Sequence, residues 1–237
     1  MDNKKVIVFS LFLIAVLFSV KLPAQDCKFY FPTEKGTMLE MANYDKKGKV
    51  TGYTSQKIID KKEEDGAQIV IFEQSAADKN RENMTTQTMQ VKCQDGKFYV
   101  GLNNYFENMG LGQYEEDPAM EVVIDGDELY FPSELKEGEQ LPDGTITAKV
   151  MTGGMPLMTM TVHILDRKVG PKESVTTPAG TFECYRISQD VELKTIMRIK
   201  TSETSWMADG IGIVKTEHYD KKGKLTDYSE LIRIEKN

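Results

Sequence analysis

The chain has 237 residues, with 30 Lys or Arg, 37 Asp or Glu, and a formal net charge of −7 at pH 7. So acidic a protein lacks the basic surface that displaces counterions from nucleic acid or anionic membranes, and we set nucleic-acid binding aside. Its length suits one large β domain or two small ones.

The first 24 residues have the features of a cleavable export signal. Two lysines precede an apolar run over residues 6–20, which ends at Lys21. A basic start, a short apolar centre and a small residue near the end are typical of a secretory signal peptide. The run is shorter than the roughly twenty apolar residues that a membrane-spanning helix needs. We therefore expect cleavage after Ala24, a periplasmic or secreted product, and no stable membrane span after cleavage.

Three cysteines remain after cleavage, namely Cys27, Cys93 and Cys184. Lipid attachment at Cys27 would require a small residue before it, but Asp26 stands there, so we do not expect a lipoprotein. In an oxidising compartment, three cysteines allow at most one intramolecular disulfide. If one forms, we expect Cys27–Cys93, which would tie down the mature N-terminus. Three separately buried thiols are the alternative.

β-branched and aromatic residues alternate with polar residues along the mature chain, and Gly or Asp-Gly turns separate these stretches. The pattern predicts strands joined as hairpins. The predicted strands are 49–59, 67–74, 85–93, 97–102, 121–124, 128–131, 145–150, 157–166, 172–177, 181–191, 193–200, 212–219 and 224–235.

The connections between these strands are also predicted. The Asp125-Gly126-Asp127 turn is expected to join its two flanking strands into a hairpin. Residues 103–113 show no alternation and are predicted as a short helix or a loop, whereas residues 132–144 form a turn-rich connection. Together the elements predict an all-β fold: a curved antiparallel sheet, an open barrel or a sandwich, with at most one or two short helices. We expect a single β-rich domain over residues 25–237.

One ten-residue motif occurs twice, at residues 44–53 and 219–228, and the two copies differ at only two positions. Each copy predicts a hairpin in which a tyrosine ends one strand, Asp-Lys-Lys-Gly turns, and a second strand begins. Two explanations stay open. Either the same turn chemistry arose independently, or the chain has two related halves, divided near residues 131–144 and meeting where its ends come together.

No recognisable catalytic or metal-binding motif is present in the sequence. His163 and His218 each lie in a predicted strand, and neither has a second histidine or a cysteine at the spacing of a zinc site. Phosphate-binding, nucleophile-elbow and His-Glu-x-x-His motifs are absent. We therefore predict a protein without catalytic activity, cofactor or metal, with an enzyme of unfamiliar type as the remaining alternative.

A methionine-rich segment over residues 151–160 is the most unusual feature of the sequence. Alternation places four apolar residues on one face of a predicted strand: Met158, Met160, Val162 and Ile164. Methionine fills irregular cores and also adapts to variable apolar ligands. Three interpretations stay open: core packing, the lining of an apolar ligand cavity, and binding of Cu(I), which prefers thioether ligands.

Four segments, taken in order, resemble a known family. They are Tyr44-Asp45-x-x-Gly48-Lys49, the run from Phe131-Pro132 to Asp143-Gly144, Thr177-Pro178-Ala179-Gly180-Thr181-Phe182-x-Cys184, and the run from Trp206 to Lys215. In this order they resemble the TapB-like exported proteins of Gram-negative bacteria, a family of domain-of-unknown-function type. The resemblance implies a secreted or periplasmic β protein without established catalysis, and it brings no functional residues.

The end of the chain is also similar, over one hairpin, to periplasmic lipoprotein carriers, whose curved antiparallel sheet shelters acyl chains. We expect an envelope binding protein that holds a lipid or another apolar or extended ligand on a curved sheet. The alternative is an interaction or scaffold module in an envelope or surface protein complex, which would present an exposed apolar patch or an open sheet edge.

Overall fold

The computed structural model describes residues 28–100 and 119–236, and its regular structure is β-strand throughout, as the sequence predicts. In these ranges there is no helix that could span a membrane. The helix or loop predicted over residues 103–113 lies outside the described residues. The strands are β1 (Met38–Asp45), β2 (Val50–Glu64), β3 (Ala67–Asp78), β4 (Thr85–Gln94), β5 (Lys97–Val100), β6 (Met120–Gly126), β7 (Leu129–Pro132), β8 (Gly144–Thr152), β9 (Met155–Thr177), β10 (Gly180–Lys194), β11 (Arg198–Ala208), β12 (Gly212–Asp220) and β13 (Leu225–Glu235).

All these strands form one antiparallel sheet, in the order β6-β8-β9-β10-β11-β12-β13-β1-β2-β3-β4-β5-β7. Most neighbours are hairpin partners in the chain, as the turn signals predict. The exception at the centre is the pairing of β1 with β13, which brings the two ends of the described chain together. The structure thus has one continuous antiparallel sheet that does not close into a barrel, in agreement with the predicted all-β fold.

The predicted hairpin around Asp125-Gly126-Asp127 is wrong. Among the described strands, β6 pairs with β8 alone and β7 with β5 alone, so these strands form opposite edges of the sheet. Only Asp127 and Glu128 separate them in the chain, and the sheet must therefore curl until its edges meet at this corner. Glycine is needed at position 126 because a Cβ there would lie 2.4 Å from the carbonyl oxygen of Thr145.

Two predicted strand boundaries are also wrong. β9 is one continuous strand, because bulges in its ladder with β10 absorb the irregular residues 165–172 that suggested a break. The strand predicted over residues 193–200 is instead the end of β10, a turn, and the start of β11. In this turn the backbone N–H of Thr195 donates to the carbonyl oxygen of Met197 at 2.8 Å.

A bulge in β9 aims Arg167 at the opposite edge of the sheet. Asp166 sits in the bulge with a φ of 53°. Arg167 is only 1% exposed, and its guanidinium lies 4.8 Å from the ring centroid of Phe131. Its Nη1 donates to the carbonyl oxygens of Pro142 at 2.8 Å and Tyr130 at 3.3 Å. Arg167 thus joins β9 to β7 and to the connection that follows it.

The two copies of the repeated motif form the same turn. In each copy the aspartate Oδ1 accepts hydrogen bonds from the backbone N–H groups two and four residues later, at 2.8 and 3.0 Å, and the aspartates are Asp45 and Asp220. Gly48 and Gly223 supply the left-handed backbone that the turn requires, with φ of 78° and 71°. The prediction of two hairpins is therefore confirmed.

These hairpins lie side by side in the sheet. Tyr44 and Tyr228 are directly opposite each other across β1 and β13, and their rings stack with centroids 4.8 Å apart. The backbone N–H of Lys46 also donates to the carbonyl oxygen of Thr226 at 3.1 Å. The copies therefore meet where the chain ends meet, and the division of the chain into two related halves stays a hypothesis.

The first described residues belong to the core. Phe29 and Phe31 are buried in one apolar cluster, whereas Tyr30 is buried in another. The Tyr30 hydroxyl donates to the carbonyl oxygen of Ser133 at 3.1 Å and accepts from the N–H of Leu135 at 2.8 Å. Burial raises the pKa of Tyr30 to about 12. The segment that follows the predicted cleavage site is therefore anchored between two groups of strands. Phe29 and Phe31 pack with residues of β2–β5, and Tyr30 packs with residues of β9–β11.

Candidate functional site

The curved sheet borders a cavity of about 490 Å³. Its lining comes from β1–β5 and β7 on one side and from β11–β13 on the other, with Tyr30 and Phe31 between them. Sites for small molecules in proteins usually have volumes of about 300–1,000 Å³. The cavity is therefore large enough for a small ligand.

Apolar side chains line one part of this cavity. Several of them also belong to the buried core, so this part of the wall is held by packing and is preorganised. Aromatic rings and flexible thioethers together can fit apolar groups of different shapes. The apolar lining residues are Phe31, Leu39, Met41, Phe72, Met89, Val91, Phe98, Val100, Phe131, Met207 and Ile213.

A row of polar side chains, which we call the polar row, crosses the other part of the cavity. On one wall, Gln56 of β2 is directly opposite Gln74 of β3, and its Nε2 donates to Oε1 of Gln74 at 3.1 Å. Nearby, Nδ2 of Asn43 donates to Oγ1 of Thr54 at 3.3 Å. These side chains are half-buried and line the cavity.

The polar row continues on the opposite wall. Asn43 is opposite Ser229 in β13, Ser229 is opposite Thr216 in β12, and Thr216 is opposite Ser205 in β11. The hydroxyls of Ser205 and Thr216 are 3.3 Å apart, and both residues are buried. The polar row therefore includes residues of every strand between β3 and β11 in the order of the sheet, and amide and hydroxyl groups predominate in it.

Three charged side chains, Glu203, His218 and Asp227, form an ionic group beside Ser205 of the polar row. Oε1 of Glu203 accepts from Oγ of Ser205 at 2.8 Å and from Nε2 of Gln189 at 3.3 Å, and its Oε2 lies 3.4 Å from Nε2 of His218. Nδ1 of His218 is 2.6 Å from Oδ1 of Asp227. The hydrogen bond to Glu203, assisted by Asp227, raises the pKa of His218 to about 9 although burial opposes it. At neutral pH this group therefore holds one cation between two carboxylates.

The methionine strand lies elsewhere. Met160, Val162 and Ile164 are buried in an apolar cluster with residues of β7 and β8, and Met158 packs against that cluster. None of these four residues is in the lining of the cavity described above. These side chains pack in or against this apolar cluster, and their predicted role in lining an apolar ligand cavity stays a prediction.

The cysteines differ in state. Cys93 is disulfide-bonded, whereas Cys184 is a buried free thiol. Burial raises the pKa of Cys184 to about 11. Cys27 and Ala24 lie outside the described residues, so the Cys27–Cys93 pair and the cleavage site stay predictions. Within residues 28–100 and 119–236, no three His, Cys, Asp or Glu side chains are grouped so that they could hold a metal ion.

Sequence reasoning missed the residues of the polar row. Gln56 and Gln74 each lie two residues from a buried apolar side chain, in the strand phase that faces the core. The sequence indicates no catalytic or metal-binding role for His218, whose partners Glu203 and Asp227 lie opposite it on the neighbouring strands. The signal that could have identified this site is a polar residue in the apolar phase of successive strands.

Comparison with known proteins identifies relatives over nearly the whole described chain. The DUF3108-like family model matches residues 34–231. The chain is similar to an exported protein with a YmcC-like fold from Bacteroides fragilis, with 26% identity, a TM-score of 0.70, and coverage of 89% of this chain and 100% of that chain. It is also similar in fold to a lipoprotein from Parabacteroides distasonis, with 22% identity, a TM-score of 0.71 and the same coverage. No curated protein matches the chain.

These relatives refine the predictions made from the sequence. The TapB-like label is not confirmed. The prediction of a β-sheet domain of unknown function is confirmed, and one relative is described as an exported protein. The description of the Bacteroides fragilis relative as an exported protein agrees with the predicted export, and the expectation that this protein is not a lipoprotein stays a prediction. Because the family model covers most of its length, the chain belongs to the DUF3108-like family.

Proposed function

We propose that this protein is an exported, non-enzymatic binding protein of the cell envelope, and that it holds an apolar ligand in the cavity of its curved sheet. The observation that carries the proposal is the cavity of about 490 Å³ with both an apolar lining and a polar row. Apolar groups that leave water for such a lining gain about 25 cal/mol per Å² of buried surface.

The polar row supports a binding role for energetic reasons. A sheet face that served packing alone would be more stable with apolar residues at Gln56 and Gln74, because burying an amide costs free energy unless its hydrogen bonds are satisfied. These amides are only half-buried and face the cavity. They are placed where a ligand could use their remaining donors and acceptors.

Uptake of a fluorescent apolar probe tests the proposal. Purified exported protein should enhance the fluorescence of N-phenyl-1-naphthylamine, and native mass spectrometry should detect co-purified lipid. Ala76 is an exposed lining residue, so Ala76→Trp should block the cavity and reduce probe uptake severalfold. Glu73→Trp, at an exposed position on the other face of the same strand, is the matched control. Equal uptake by both variants, or none by the wild type, would refute the proposal.

A second candidate function, an interaction module, is favoured by one observation. The turn between β10 and β11 presents Ile196 as fully exposed and Met197 as 70% exposed, and Met155 and Leu157 are exposed at the start of β9. Exposed apolar groups of this kind mark contact sites for other proteins. Ile196→Ser with Met197→Ser should then abolish recovery of a cross-linked envelope partner. Met84→Ser, at a 69% exposed methionine elsewhere, should not.

A further inference from the structure

We propose that the cavity selects amphipathic molecules whose head group is uncharged and hydrogen-bonding, and that it discriminates against anionic amphiphiles such as fatty acids. This inference rests on the proposed function and names its ligand class. It comes from the chemistry of the polar row, because an apolar lining alone would not distinguish one head group from another.

The head-group end of the cavity offers donors and acceptors in equal measure. Gln56, Gln74 and Asn43 each carry an amide oxygen and an amide NH₂, and Thr54 and Ser229 carry hydroxyls that can donate or accept. The hydrogen bonds between Gln56 and Gln74 and between Asn43 and Thr54 use only part of this capacity. A glycerol, sugar or amide head group, which also carries both donors and acceptors, is the complement of such a surface.

An anionic head group finds no free cation here. Among the described residues that line the cavity there is neither Lys nor Arg. The one cation, His218, is already held between the carboxylates of Glu203 and Asp227. An anion would therefore meet net negative charge without a compensating partner.

A cationic head group is also disfavoured relative to an uncharged one. Glu203 is the only carboxylate in the described lining, and three side chains already contact it: Gln189, Ser205 and His218. An ammonium group could reach it only by displacing one of these contacts. Uncharged head groups can bind the polar row while the ionic group stays intact.

Three amphiphiles that share a twelve-carbon chain test the inference. Monolauroylglycerol, laurate and dodecylamine are titrated below their critical micelle concentrations against protein loaded with N-phenyl-1-naphthylamine, and displacement gives each affinity. We expect monolauroylglycerol to bind most tightly and laurate at least about tenfold more weakly, which corresponds to the repulsion of one partly solvated charge. Tightest binding by laurate or dodecylamine, or equal binding by all three, would overturn the inference while leaving the cavity function intact. Failure of all three to bind would overturn the cavity function itself.

Two variants assign the selectivity to the polar row. Glu203→Gln keeps a hydrogen-bonding side chain but removes the charge, so laurate should bind more tightly. The ratio of the affinity for monolauroylglycerol to the affinity for laurate should therefore fall severalfold. Gln74→Leu should weaken the binding of monolauroylglycerol and leave the binding of laurate nearly unchanged. Gln90→Leu, at an exposed position in β4 outside the cavity lining, is the control. Unchanged ratios in both cavity variants would also overturn the inference.

Discussion

Arg167 donates a hydrogen bond from Nη1 to the carbonyl oxygen of Tyr130 at 3.3 Å, and this bond joins two strands that nine others separate in the order of the sheet. The same Nη1 donates to the carbonyl oxygen of Pro142 at 2.8 Å. Curvature of the sheet brings β9 and β7 together, and the buried guanidinium holds them there. The shape of the cavity depends on this curvature.

Replacing Arg167 should therefore destabilise the protein strongly. Arg167→Gln removes the donor for two carbonyl oxygens, and each buried group left unsatisfied costs about 1–3 kcal/mol. We expect urea unfolding to show a loss of about 3 kcal/mol in the free energy of unfolding. Arg186→Gln, at an exposed arginine on the neighbouring strand, should change it by less than about 0.5 kcal/mol. Similar losses in the two variants would contradict this role.

The pKa of His218 should respond unequally to its two carboxylate partners. The hydrogen bond to Glu203 is the largest cause of the raised value, so Glu203→Gln should lower the pKa of His218 more than Asp227→Asn does. Proton NMR titration of the ring resonances measures this directly, because the chain has only two histidines. The reverse order of effects would show that Asp227 is the dominant partner.

The same histidine should make stability depend on pH. Its folded pKa of about 9 lies above the ordinary value of 6.5, so its contribution is complete below pH 6.5 and is lost as the pH rises through 9. The side chain is 40% exposed, so solvent screening keeps this contribution small. The melting temperature of the wild type should decline from pH 6.5 to 9.5 more than that of His218→Gln. Parallel curves for the two proteins would contradict the prediction.

The two turn glycines should be equally sensitive to substitution. Gly48→Ala and Gly223→Ala each force a side chain into the left-handed region, at a cost of about 1 kcal/mol. Asparagine tolerates this region better, so Gly48→Asn and Gly223→Asn should cost less than the alanine variants. Chemical denaturation compares all four proteins. A large difference between the two positions would show that the repeated turns are not energetically equivalent.

Thiol counting tests the predicted disulfide. Cys184 is buried and its pKa is about 11, so native protein should not react with Ellman's reagent. Unfolded protein should show one thiol without reductant and three after reduction, if Cys27 pairs with Cys93. Cys93→Ser should then expose one further reactive thiol and lower stability by about 2–4 kcal/mol. Three thiols in unreduced, unfolded protein would rule the pair out.

Local sequence determined much of this fold. The alternation of apolar and polar residues predicted the β-strands, and turn chemistry at Gly48 and Gly223 predicted the repeated hairpins, because these features act between residues close in the chain. The polar segment around residues 165–172 predicted two strands instead of one, since a bulge and a break look alike in sequence.

Partner choice and the site were decided only by tertiary structure. Asp125-Gly126-Asp127 has the chemistry of a hairpin turn, yet β6 and β7 pair with distant strands, although Leu129 of β7 and the apolar side chains of β6 pack in or against the same apolar cluster. The cavity likewise depends on the curvature of the sheet, which brings β9 to β7, where Arg167 joins them. Residues such as Gln74 and Glu203, 129 positions apart, share one cavity through strand order and curvature, which no local pattern encodes. The sequence by itself thus determined the strands and their turns, and the folded sheet decided which polar side chains meet.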